Sequence, residues 1–163
     1  MSVAHVIGID PGLVHTGVVS MIFKSEQRVV EIRHELVDGP DADAVRLWVS
    51  DHFDPRPKVY IERYRPRQQL NADQRMLALE HELRRALPYA TFLQNMGIKR
   101  VVVQPVMEVL DVWTFHTTSH HQDLRAAARI ALLGMVKDDS TNPVLASVME
   151  AHIAHRPWMP HHL

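Results

Sequence analysis

Apolar and polar positions along the chain fall into short blocks whose spacing changes from two to three or four residues. Val6, Ile7 and Ile9 form an apolar run bounded by turn residues, and two further runs rich in Val, Ile and Phe follow. This pattern predicts strands over Ala4–Ile9, Gly17–Phe23 and Arg28–Leu36, an antiparallel meander. Pro11-Gly12 suits the centre of a type II turn, with glycine at positive φ, and Lys24-Ser-Glu-Gln27 makes the second turn. Val37-Asp-Gly-Pro40 breaks the meander, after which Asp41 or Asp43 caps a helix whose apolar positions are Ala44, Val45, Leu47 and Trp48. Asp54-Pro-Arg-Pro57 stops it, and Lys58-Val-Tyr-Ile-Glu62 reads as a short buried strand.

In the second half, Met76, Leu79, Leu83 and Leu87 fall at helical spacing within Asn71–Leu87, and Pro88 ends that helix. Arg100-Val-Val-Val-Gln104 reads as a fifth strand closed by Pro105. A long helix is expected from Ser119 to about Lys137, opened by the capping box Ser119/Gln122, with Leu124, Ala127, Ala128, Ala131 and Met135 as its buried stripe. The order β-β-β-α-β-α-β-α predicts an α/β fold: a five-stranded mixed sheet flanked by helices. Residues 1–137 are expected to form this domain and residues 138–163 a tail, with one short helix near Val144–Ile153.

Composition narrows the classes. An apolar share of 46% over 163 residues is enough for one domain with a real core. Without cysteine there is neither a disulfide framework nor a thiolate metal site. No apolar run reaches membrane-spanning length and no signal-peptide pattern opens the chain, so a cytoplasmic protein is expected. The net charge of −1 hides an uneven distribution. The first third is acidic, whereas Pro55–Gln104 carries Arg56, Lys58, Arg63, Arg65, Arg67, Arg75, Arg84, Arg85, Lys99 and Arg100 against only four acids. A basic middle of this kind suits a polyanion.

Two carboxylates, Asp10 and Glu62, each end a predicted strand, and those strands are neighbours in the expected sheet. A third, Asp123, lies in the first turns of the last helix, where His120, three residues earlier, shares its face. His121 stands two residues from Asp123 and should point elsewhere, while the direction of His116 is not legible. Taken singly, each of these residues has an ordinary explanation: a turn aspartate, an ion-paired glutamate, a surface imidazole among 12 histidines. Together, three carboxylates and an imidazole without cysteine describe a site for a hard cation such as Mg²⁺ or Mn²⁺.

The ordered motifs Gly8-Ile-Asp10-Pro-Gly12, Thr16-Gly17, Tyr60-Ile-Glu62 and His120-His-Gln-Asp123 with Ala126-Ala-Ala resemble the RuvC-like Holliday-junction resolvases. That group belongs to the ribonuclease H-like superfamily; the short form here is most similar to bacteriophage versions, over Val3 to about Val136. The resemblance implies a homodimeric, metal-dependent endonuclease that nicks two symmetric strands of a four-way DNA junction. Asp10, Glu62, His120 and Asp123 are then the catalytic residues and the ligands of two Mg²⁺ or Mn²⁺ ions per site; some members carry Asp where His120 stands. Arg63, Tyr64, Arg65, Arg67 and Arg75 are expected on the DNA, the cations on phosphates and Tyr64 on a splayed base. The Asn71–Leu87 helix is the family's candidate dimer surface. The chain departs from the family at Arg65, which stands where an aromatic wedge is common, and in the absence of Lys or Arg from Val106 to Ser119. Flaps, forks or RNA–DNA hybrids are the alternative substrates, and a non-catalytic nucleic-acid-binding member of the fold is the rival from another class.

Overall fold

A computed structural model describes residues 3–24, 27–66, 73–95, 97–115 and 121–138. Five strands, β1 (Val3–Asp10), β2 (His15–Lys24), β3 (Gln27–Asp38), β4 (Lys58–Glu62) and β5 (Thr91–Leu93), form one sheet in the order β3-β2-β1-β4-β5. β1 pairs antiparallel with β2 and β2 with β3, while β4 runs parallel to both β1 and β5. Helices α1 (Ala42–Asp51) and α2 (Gln74–Ala86) cover one face, and the long α5 (His121–Asp138) covers the other together with the short α3 (Ile98–Val101) and α4 (Gln104–Val109).

Alternation along the strands divides the core in two. Ile7, Ile9, Val18, Val59 and Ile61 pack with Val45, Trp48, Val49, Leu79 and Leu83 beneath α1 and α2. Val6, Val19, Met21, Phe23 and Tyr60 pack on the opposite face with Leu124, Ala127, Ala128 and Ala131 of α5. By the same two-residue period, Gly8, Asp10 and Glu62 belong to the α5 face.

The helix boundaries follow local chemistry. The Asp41 carboxylate accepts from the Ala44 amide at 2.9 Å and caps α1. That of Asp73 accepts from the Arg75 amide at 2.9 Å and caps α2, so this helix begins three residues later than the Asn71 expected. Gly39 takes φ +70° where the meander ends.

Two local expectations are corrected. Gly12 is not at positive φ, so Pro11-Gly12 is not a type II turn. Glycine is required there because a Cβ would stand 2.2 Å from the His15 carbonyl oxygen. The fifth strand is Thr91–Leu93, not Arg100–Gln104. The Val101–Val103 run instead spans the end of α3, where Ile98 and Val102, one turn apart, bury themselves against α5 and Val101 stays 42% exposed. A short apolar run fits strand and helix equally well until a packing partner decides. Ser119, the tail and its expected helix lie outside the described residues.

Candidate functional site

The site forms at the ends of β1 and β4. These neighbours run parallel, with Ile9 registered against Ile61, so the next residues, Asp10 and Glu62, leave the sheet side by side on the α5 face. The Glu62 carboxyl lies close enough for its charge to act on Asp10. Burial, the charge and hydrogen bond of Glu62, and then the charge of Asp123 together push Asp10 well above the usual carboxylate range. Asn95, just past β5, donates its side-chain amide to Glu62 Oε1.

Asp123 arrives from above. Gly17, paired with Asp10 across β1 and β2, lies against the first turn of α5, and a Cβ there would stand 2.5 Å from the Asp123 carbonyl oxygen. A Cβ on Gly8 would come within 1.8 Å of the Ala127 carbonyl oxygen. At the far end, the space a Cβ on Gly134 would need is taken by the Tyr60 ring, 2.3 Å away. Three missing side chains thus let α5 lie low on the sheet and bring its first turn beside Asp10.

A cleft of about 760 Å³ opens over these acids, walled by Asp10, Glu62, Asn95, Arg63, Tyr64 and Arg65 among others. Among the described residues, no three His, Asp or Glu side chains converge as a ready cage for one ion. The donor set nevertheless fits a hard divalent cation: two oxygen-bearing groups side by side, with a third acid, Asp123, close enough for its charge to act on Asp10. A cation would offset the repulsion between acids that raises Asp10.

The remaining expected site residues divide. His120, His116 and Arg67 lie outside the described residues. The Nδ1 of His121 accepts from the Phe115 amide at 2.9 Å, which ties that imidazole to the loop before α5. Tyr64 is half-buried and engaged at both ends: its amide donates to Glu80 Oε2 at 2.9 Å, and its hydroxyl accepts from the Asp73 amide at 3.0 Å. Its polar groups thus anchor the loop to α2, leaving only the ring for a base. Glu80 also lies 3.8 Å from Arg63 and 2.7 Å from Arg84. Arg75 is paired with Asp73 at 2.9 Å on the surface, whereas Arg65 lines the cleft with no carboxylate partner among the described residues. Sequence reasoning missed Asn95, because placing the fifth strand at residues 100–104 removed the strand end on which it stands.

No family model and no curated protein matches the sequence. Among solved structures, the RuvC of Thermus thermophilus in complex with a Holliday junction substrate superimposes with a TM-score of 0.53 at 18% identity, covering 78% of this chain and 90% of that one. The fold is RuvC-like. A second Thermus thermophilus RuvC structure gives the same values. The five-stranded mixed sheet with flanking helices is accordingly the ribonuclease H-like α/β fold expected from the sequence. In this RuvC-like frame the cleft lies at the ends of β1 and β4, between the Arg63–Pro66 segment and Asn95. No helix among the described residues is long and apolar enough to cross a membrane.

Proposed function

We propose that the protein is a divalent-metal-dependent endonuclease that resolves four-way DNA junctions, acting as a homodimer in the cytoplasm. The observation that carries this reading is the Asp10–Glu62 pair, side by side at adjacent strand ends, with Asp123 set beside it by the contact between α5 and Gly17. Asp10, Glu62, Asp123 and His120 are the residues that would hold Mg²⁺ or Mn²⁺, two ions per site. When bound, such ions supply an activated water and charge stabilisation for the leaving oxygen of an in-line displacement. Asn95 orients Glu62, and the segment Arg63–Pro66, braced on Glu80, presents Arg65 and Arg63 to the phosphates. The narrower likeness of the chain to bacteriophage resolvases rests on the ordered motifs alone.

The test is a panel of synthetic substrates (four-way junction, flap, fork, RNA–DNA hybrid and linear duplex) incubated with Mn²⁺ or Mg²⁺. Paired symmetric nicks in the four-way junction, abolished in Asp10→Asn, are expected. Preferential cleavage of a flap, fork or hybrid would overturn the junction assignment and keep the nuclease. No cleavage of any substrate with either ion would leave a non-catalytic binding protein.

A further inference from the structure

The outer face of α5, turned away from Gly8 and Gly17, carries a feature the catalytic cleft does not use. Arg125 and Arg129 stand four residues apart and so share one side of the helix. Trp113, in the segment after α4, lies against both of them. The Arg125 guanidinium carbon is 3.9 Å above its ring, and Nε of the same side chain donates to the Trp113 carbonyl oxygen. The Arg129 guanidinium carbon is 5.4 Å from the same ring. Among the described residues its buried Nε has no hydrogen-bond partner, and neither arginine forms an ion pair with a carboxylate.

This arrangement has a cost within the chain. Like charges at this spacing repel, and a buried donor without an acceptor is unfavourable. Burial and the charge of Arg125 also push Arg129 below the usual guanidinium range. The indole holds the Arg125 guanidinium over its face and lies within cation–π reach of Arg129, and a guanidinium fork held in place matches the geometry of phosphate oxygens. The pair begins two residues beyond Asp123 and ends six beyond it. That is about 9 Å along the helix axis, roughly the rise of three nucleotides of one strand.

We propose that Arg125 and Arg129, propped by Trp113, form a phosphodiester-binding clamp that holds the DNA strand beside the cleavage point. The clamp rests on the nuclease reading and adds to it a second set of phosphate-binding groups, carried on α5 rather than on the Arg63–Arg65 loop. The ligand is a backbone phosphate, recognised without regard to base sequence.

The test measures binding of a labelled four-way junction to the whole protein in EDTA across a range of salt concentrations. Each phosphate left without its cation lowers the slope of log K against log salt by about 0.9. Arg125→Gln and Arg129→Gln should each show that drop, and lysine at both positions should restore the slope. A second measurement uses the unmodified chain: bound junction should protect Arg125 and Arg129 from an arginine-directed reagent such as phenylglyoxal, read by mass spectrometry. Unchanged slopes in the glutamine variants, or equal modification with and without DNA, would overturn the clamp while leaving the nuclease reading intact. A wild-type protein that binds no junction would bring down both.

Discussion

Gly17 lies directly against the backbone of Asp123, close enough that a single methyl group on it would stand 2.5 Å from the Asp123 carbonyl oxygen. Because Gly17 is also the cross-strand partner of Asp10, this contact sets the height of the α5 first turn over the acid pair. Backbone meets backbone here, so no side-chain rotation relieves an added Cβ.

Gly17→Ala should therefore move Asp123 and reduce cleavage by more than tenfold while weakening junction binding far less. Overpacking of this kind costs about 1–3 kcal/mol, a fall in Tm of roughly 2–4 °C for each kcal/mol. Turnover, junction affinity and Tm measured on the one variant check it. Cleavage and binding falling together would show a general folding defect instead.

The Asp10 carboxyl, raised by burial and by its acidic neighbours, gives a pH signature of definite sign. Such a group stabilises the fold below its unfolded pKa, near ~3.9, and that contribution is lost as pH rises through the raised folded value. Metal-free protein should thus lose stability over that range, whereas Asp10→Asn should stay flat there, melt higher at neutral pH and fail to cleave. Melting curves in EDTA from pH 4 to 8 decide this. A wild-type Tm that climbs with pH over the same interval would contradict it.

Asn95 holds Glu62 through a side-chain hydrogen bond. Supporting interactions of this type are worth about 10–100-fold in metal affinity or activity. Asn95→Ala should raise the Mn²⁺ concentration needed for half-maximal cleavage by such a factor, with junction binding in EDTA unchanged. A normal Mn²⁺ requirement would remove Asn95 from the site.

His120, if it ligates as a neutral imidazole, should favour Mn²⁺ over Mg²⁺ and make cleavage fall as pH drops through ~6.5. His120→Asp should shift the preference toward Mg²⁺ and carry the acid limb of the pH profile downward. Cation preference and pH profile unchanged in that variant would exclude this imidazole.

The parts legible in the sequence were those with a local cause. β4 was bounded on both sides as expected, because Asp54-Pro-Arg-Pro57 closes one end and the change to charged residues closes the other. The stripe Leu124, Ala127, Ala128, Ala131 and Met135 is buried throughout, since it follows helical spacing. The hidden parts were set at a distance. Nothing local separates the strand Thr91–Leu93 from the valines at 101–103; pairing with β4 and burial against α5 do. Gly8 and Gly17 could be taken for turn or motif glycines until α5 is laid across them. Arg125 and Arg129 look like ordinary solvated helix cations until Trp113 is brought over them from the preceding segment.

The most direct measurement is Mn²⁺ binding, followed by electron paramagnetic resonance, in the wild-type chain and in Asp10→Asn, Glu62→Gln and Asp123→Asn. If the acids of β1, β4 and α5 serve one metal centre, each substitution alone should weaken binding by at least tenfold. Mn²⁺ binding in Asp123→Asn indistinguishable from wild type would contradict a centre shared between the sheet and the helix.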